Sequence, residues 1–289
     1  MEPTSPGRRL RQAWAERPIA LPGVFNPLVA RMAERLGFAA AYLSGGALSA
    51  ALGVPDVGLV TLSEFVENAR SIAQATSLPL LCDADTGFGE ALNVERTVRL
   101  FECAGAAGIH LEDQHLPKRC GHLSGKSLVE PEVMAAKLRA AVAARRDPDF
   151  VIIARTDARG VTDFDDAVRR ARLYLDAGAD AIFPEALENA EEFAAFARAI
   201  SAPMLANMTE FGRSPILDLP TLADMGYRMV LYPLTAFRLA LRAAERALTA
   251  LRDKGDQREL LPDMLSRAEL YDLLGYQDCE ERDKAYFKL

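Results

Sequence analysis

Short runs of apolar residues punctuate the chain at regular distances, and longer amphipathic stretches fill the gaps between them. The runs are "IALPGVF" (19–25), "AAAYLSG" (39–45), "LPLLCDA" (78–84), "AGIHLED" (107–113), "FVIIARTD" (150–157), "DAIFPEA" (180–186), "APMLANM" (202–208) and "YRMVLYP" (227–233). They are continuously apolar instead of alternating, the mark of strands buried on both faces. Between them, "NVERTVRLFECAGA", "DFDDAVRRARLYLDAGA" and "ENAEEFAAFARAI" carry the helical period, and "AGA" or "LGF" before a strand supplies a helix-terminating glycine. Strand–helix alternation predicts parallel strands joined by right-handed crossovers. Eight such units with no internal repeat or linker predict one α/β domain over residues 1–289, a closed TIM-type (β/α)₈ barrel. Residues 234–289 read as a helical C-terminal extension of that domain. Its apolar face must be covered, and a neighbouring subunit is one way to cover it.

Composition narrows the picture in a few respects. A net charge of −7 leaves no basic excess to displace counterions from phosphates, so nucleic acid is not the expected partner. No apolar run approaches the roughly 20 residues of a membrane span, and "MEPTSPGRRLRQAW" lacks the apolar core of a signal peptide. Four cysteines at irregular spacing suggest neither a disulfide framework nor a C-x-x-C knuckle. The expectation is a cytoplasmic protein with reduced thiols and no membrane partner.

In a barrel, chemistry collects where the strands end. Here Ser44, Gly45 and Gly46 follow the second strand, Asp83 and Asp85 the third, and Glu112 and Asp113 the fourth. Arg155 and Asp157 end the fifth, Glu185 the sixth, and Asn207 and Thr209 the seventh. Residues two apart on a strand share a side, so Asp83 and Asp85 are expected to face the mouth together. Paired carboxylates repel unless a cation joins them, and all-oxygen ligands favour a hard ion such as Mg²⁺, with Asp56 and Glu112 holding its waters. The alternative is that Asp85 caps the next helix. Arginine forks at Arg155, Arg238 and Arg267 suit carboxylates, which points to a polycarboxylate substrate. For Arg238, in "TAFRLALRAAER", ion pairing along a helix surface competes with that reading.

The stretch "EDQHLPKRCGH" (112–122) places Cys120 among Lys118, Arg119 and His122. Such neighbours are expected to lower the thiol's pKa, and a thiol of moderate pKa can act as a general acid toward a carbanion. A zinc site beginning at His115, Cys120 and His122 would lack an evident fourth ligand. A redox-sensing thiol on a non-catalytic barrel is the reading from a different class of function. His110, inside a strand, reads as a packing histidine, and Trp14 as the residue that packs an N-terminal helix onto the barrel.

Taken together, "YLSGGALSA", "DADTGFGEALNVERTV", "AGIHLEDQ", "PKRCGH", "ARTDA", "FPEA" and "NMTEFGRSP" resemble the isocitrate lyase and phosphoenolpyruvate mutase superfamily over nearly the whole chain. "KRCGH" resembles its lyase branch. The resemblance implies a barrel whose last helix is exchanged within a homotetramer, and a Mg²⁺ ion (Mn²⁺ as substitute) on Asp83 and Asp85, with Asp56 and Glu112 acting through water. It further implies that Ser44, Gly45, Gly46, Cys120, Gly121, Arg155, Glu185, Asn207, Met208, Thr209, Arg238 and Arg267 contact a small tricarboxylate. Cys120 would be the proton donor, and Lys118 and His122 would steady the developing charge. Tyr42 and the glutamates, Glu112 among them, are the candidates for the base. The activity implied is cleavage of 2-methylisocitrate to pyruvate and succinate, as in propionate catabolism by the methylcitrate cycle. Isocitrate and 2,3-dimethylmalate are the alternative substrates: Phe183 and "NMTEFG" favour the first acid, whereas "GHLSGKSLV" resembles the loops of enzymes acting on the others.

Overall fold

The computed structural model describes residues 4–287. All eight predicted runs contain a strand: β1 (Ile19–Pro22), β2 (Ala41–Leu43), β3 (Leu80–Asp83), β4 (Gly108–Glu112), β5 (Val151–Thr156), β6 (Ala181–Pro184), β7 (Leu205–Asn207) and β8 (Met229–Tyr232). Each is shorter than its apolar run, because the flanking residues leave the ladder to enter turns. Every pairing is parallel, in the orders β2-β3-β4-β5-β6 and β1-β8-β7. Single bridges at Gly23↔Tyr42 and Ile182↔Met204 join the two sets, which closes the ring of the TIM-type (β/α)₈ barrel. At Gly23 a Cβ would lie 2.0 Å from the Pro233 carbonyl oxygen, so glycine is what lets the β1 and β8 ends approach at that seam.

Helices between strands start where a polar side chain can accept the first free N–H groups: Asn26, Thr61, Asp163, Asn189 and Asp218 all cap in this way. Strand side chains then divide strictly by parity. Cys82, Ile109, Leu111, Ile152, Ala154 and Ile182 face the helices in the outer core. Leu21, Leu81, Val151, Ile153, Ala181, Phe183, Leu205, Met229 and Leu231 fill the barrel interior. Leu10 and Trp14 of the helix Pro6–Glu16 belong to that inner cluster, so the N-terminal helix is packed onto the barrel as expected of Trp14.

By its contacts the chain divides into two compact units, Met1–Thr235 and Ala236–Leu289. The second is helical, comprising nearly all of Thr235–Lys254, then Arg267–Leu274 and Tyr276–Tyr286. Ser266 and Glu269 form a capping box at the second helix, and Tyr271 stacks on Tyr276 with ring centroids 4.8 Å apart. No helix among the described residues is long and apolar enough to cross a membrane.

Candidate active site

The inward register of the strands runs from core to chemistry. Leu81 precedes Asp83, His110 precedes Glu112, Ile153 precedes Arg155, Phe183 precedes Glu185, and Leu205 precedes Asn207. Each second residue is a polar group at the C-terminal tip of its strand, the end where barrel loops form sites. Tyr42, Ser44, Gly46, Asp56, Asp83, Lys118, Cys120, Gly121, His122, Arg155, Phe183, Glu185, Asn207 and Thr209 line one cavity.

Asp83 and Asp85 do come together, but by a different route from strand alternation. The strand ends at Asp83, and Asp85 lies in a turn with φ +45°. Its N–H donates to Asp83 Oδ1 at 3.0 Å, and Gly45 N–H donates to Asp83 Oδ2 at 3.1 Å. Aspartate tolerates the left-handed region, and this turn, not the pleat, aims the second carboxylate. Nor does Asp85 cap a helix: the next one begins after Glu90. Lys118 reaches in from the cysteine loop, pairing with Asp56 and, at 2.7 Å, with Asp85 Oδ1.

Burial and then the Asp83 charge push Asp85 up to about 7. Burial works on Asp83 in the same sense, but His110, Lys118 and Arg155 outweigh it and hold that carboxyl below its ordinary range. Glu112 is driven well up by burial despite Arg155, and its Oε1 has no hydrogen-bond partner. Asp85 Oδ1 likewise accepts no hydrogen bond beyond the Lys118 ion pair. Buried carboxylates in excess of nearby cations, with orphaned oxygens, fit a hard divalent ion. Among the described residues no three His, Cys, Asp or Glu side chains form a ready-made ligand set. For such an ion the residues present would offer a carboxylate pair, to be completed by waters and substrate, and His115, Cys120 and His122 do not converge on a zinc site among the described residues.

Across the cavity Arg155 is the hub. Its Nη1 is 3.0 Å from Glu112 Oε2, and its Nε and Nη2 donate to Asp157 at 2.9 and 3.1 Å. The guanidinium also lies 5.2 Å from the centre of the Phe183 ring. Glu185 is 2.6 Å from His122 Nε2 and accepts from Asn207 Nδ2 at 3.3 Å. Burial alone would raise Glu185, yet Arg155 and His122 hold it down to about 2.

The cations flanking Cys120 in sequence diverge in space. Lys118 enters the acid cluster, Arg119 donates to the Ser124 carbonyl at 3.3 Å, and His122 turns to Glu185. His122 Nδ1 accepts the Arg213 N–H at 3.0 Å, which assigns the ring proton to Nε2 facing Glu185. The expected lowering of the thiol pKa is therefore reversed: burial raises Cys120 despite a hydrogen bond from the His122 N–H. A thiol that keeps its proton suits a proton donor and not a redox-sensing thiolate. Gln114 shapes the loop, its amide donating to the Arg119 carbonyl at 2.8 Å and accepting the Arg119 N–H at 2.9 Å.

His110 does more than pack. It stacks on Tyr42, places Nε2 2.7 Å from Tyr42 Oη and 3.6 Å from Asp83 Oδ1, and leaves Nδ1 without a partner. Burial lowers it to about 4 and, with the Asp83 charge, pushes the Tyr42 phenol well above its ordinary value, so the ring is neutral and the phenol keeps its proton. Its even spacing with Glu112 along β4 is the signal that marks it as inward-facing. Met208 departs from expectation: one residue past the inward-facing Asn207, it lies in the outer core, its sulfur accepting the Leu217 N–H at 3.2 Å. Arg238 and Arg267 lie in the second unit.

A barrel whose strand tips carry a carboxylate pair, an arginine hub and a thiol-bearing loop defines a class of enzyme site for polyanionic carbon acids. The family model described as phosphoenolpyruvate phosphomutase matches residues 8–252. Among curated proteins, a 2-methylisocitrate lyase of Aeropyrum pernix is 53% identical, covering 96% of this chain and 90% of its own length. A probable 2-methylisocitrate lyase 1 of Corynebacterium glutamicum is 51% identical over 92% and 88%. Among solved structures, oxaloacetate acetylhydrolase aligns with a TM-score of 0.93 at 37% identity, covering 99% and 98% of the two chains. A 2,3-dimethylmalate lyase described as a PEP mutase/isocitrate lyase superfamily member aligns at 0.92 with 33% identity, over 99% and 96%. Phosphonopyruvate hydrolase in complex with oxalate and Mg²⁺ aligns at 0.89 with 34% identity, over 99% and 100%. The chain belongs to the phosphoenolpyruvate mutase and isocitrate lyase superfamily.

Proposed function

We propose that the protein is a Mg²⁺-dependent lyase that cleaves the C2–C3 bond of 2-methylisocitrate, giving pyruvate and succinate. The observation that carries this reading is a protonated, largely buried thiol at Cys120 lining the same cavity as Asp83. Asp83 and Asp85 would hold the metal, with Asp56 and Glu112 positioned for its waters. When bound, the divalent ion would polarise the hydroxyl oxygen and offset carboxylate charge. Mn²⁺ is expected to substitute.

The chain's own groups account for the proton movements. Tyr42 lines the cavity as a neutral phenol 2.7 Å from His110 Nε2, so it would take the C2 hydroxyl proton as its own proton passes to His110. As the C2–C3 bond breaks, C2 becomes the carbonyl of pyruvate and the electron pair passes to C3, next to a carboxylate. Arg155 and His122, backed by Glu185, stand where that charge develops. Cys120 then delivers its proton to the carbon, the proton taken from the hydroxyl passes to the thiolate, and His110 returns the phenol proton to Tyr42. Ser44 and the Gly46 amide, at the start of the helix Gly45–Ala51, suit a carboxylate of the pyruvate half, the Gly45 amide being taken by Asp83, and Asn207 and Thr209 suit one of the succinate half. Leu239, Leu241, Leu248 and Leu251, all on the helix Thr235–Lys254, are exposed, which supports assembly into a homotetramer by exchange of this element. Arg238 and Arg267 would serve the site in that assembly.

The test is a lactate dehydrogenase-coupled pyruvate assay on 2-methylisocitrate, with isocitrate and 2,3-dimethylmalate as comparison substrates. Each is run with Mg²⁺ and again with a chelator. Turnover of 2-methylisocitrate that stops with chelator supports the proposal. Preferential cleavage of another acid refutes the substrate, and unchanged rates in chelator refute the metal. Glyoxylate from isocitrate is followed separately with phenylhydrazine.

A further inference from the structure

Lys126, within "GHLSGKSLV", lies outside the cavity lining and has no role in the mechanism above, yet its side chain is 1% exposed. Burying an ammonium costs free energy unless it is paired and hydrogen-bonded. Its Nζ donates to two groups, the Gly121 carbonyl and, at 2.7 Å, Asp157 Oδ1. The first belongs to the residue after Cys120, and the second to the tip of β5.

Asp157 is not held by Lys126 alone, because Arg155 already donates to both of its oxygens. It is also fixed from behind: its N–H donates to Asp113 Oδ1 at 2.9 Å, and Asp113 further accepts from Thr156 and Tyr174, each at 2.8 Å. What Lys126 adds is a tether from this rigid anchor to the cysteine loop. Two other side-chain tethers of that loop end on carboxylates lining the cavity, Lys118 on Asp56 and His122 on Glu185. A bound cation or substrate would compete for both. Lys126 ends on a carboxylate outside the cavity, so its hold survives ligand entry. Gly121 shows how closely the loop is seated: a Cβ there would lie 2.3 Å from Arg155 Nη2 and 2.5 Å from Glu185 Cγ.

We propose that Lys126 is a positioning residue that latches the Gly121 carbonyl to Asp157 and so holds Cys120 over the cavity during turnover. The kinetic consequence rests on the lyase reading; the effect on thiol access does not. The experiment uses Lys126→Met and Lys126→Gln in the full chain, the second keeping an N–H donor for the carbonyl. Iodoacetamide labelling of Cys120, without substrate, is followed by peptide mass spectrometry, with exposed Cys103 as the reference and buried Cys82 as the control for unfolding. Glu185 and Arg155 act on the Cys120 thiol and Lys126 acts on Glu185, so labelling is followed across pH, which separates a change in access from a change in thiol acidity.

In Lys126→Met, Cys120 labelling should rise and kcat should fall, each by about 10- to 100-fold, the range set by losing one charged hydrogen bond. KM should change far less, Cys82 should stay unlabelled, and Lys126→Gln should lie between Met and wild type. Unchanged Cys120 labelling in both variants overturns the latch. So does a loss of activity accompanied by Cys82 labelling in both, which would mark a purely structural role. If Lys126→Met does not fold, Lys126→Gln decides alone. Should the wild type cleave none of the three acids, the lyase reading fails while the labelling comparison still decides the latch.

Discussion

Replacing Asp85 by Asn tests whether the acid end of the cavity is built for a cation. Burial and Asp83 push the Asp85 carboxyl up to about 7 in the folded chain, against about 3.9 for an unhindered aspartate. The metal-free folded protein therefore binds this proton more tightly than the unfolded chain does. That preference favours folding as the pH falls from about 7 toward about 4, and it is gone above the folded pKa. At pH 5 the folded carboxyl is protonated while the unfolded one is still ionised. About two pH units below the folded pKa, at about 1.36 kcal/mol per unit, give about 3 kcal/mol of stability that is absent at pH 8. Asn has no proton to take up. Urea unfolding in chelator at pH 5 and pH 8 should show the stability difference, variant minus wild type, shrinking by about 3 kcal/mol on going to pH 5. Added Mg²⁺ should stabilise the wild type at pH 8 by mass action and leave the variant unmoved. Parallel pH dependence in the two proteins, or equal stabilisation of both by Mg²⁺, would refute the reasoning.

Three further outcomes are expected. Cys120→Ser should lower kcat by about 10²- to 10⁴-fold, the usual worth of a positioned acid, while calorimetry still detects Mg²⁺-dependent pyruvate binding; near-normal turnover would remove the thiol from the mechanism. Gly121→Ala forces a Cβ against Arg155 and Glu185, so activity should drop about 10-fold or more with little change in the thermal midpoint, and full activity would mean that the loop acts from elsewhere. Asp113→Ala strips the acceptor from buried Arg170, Tyr174 and Thr156 and should cost about 3–5 kcal/mol in urea unfolding; a loss below about 1 kcal/mol would show that the network relaxes.

Much of the site is legible in one dimension because strand parity is a local rule. Once Leu81, Ile153 and Phe183 are assigned to the barrel interior, Asp83, Arg155 and Glu185 must face its mouth. The same rule, applied one step further, turns Met208 away and brings His110 in, two placements that residue type alone obscured. Parity says nothing about loops. Asp85 reaches the site through a left-handed turn, and the hub of Arg155 with Asp157 and Lys126 draws on groups separated by about thirty residues.

Hydrophobic period and glycine punctuation were enough to determine eight strands, their parallel closure and the strand tips that carry acids, because each depends on neighbours a few residues away. Folding alone decided the charge state of those groups. Lys118, Arg119 and His122 surround Cys120 in the chain, yet each side chain finds its partner on a different element, and burial leaves the sulfur holding its proton. A thiol's acidity is set by the dielectric and charges that surround it in three dimensions, and adjacency along the backbone does not specify them.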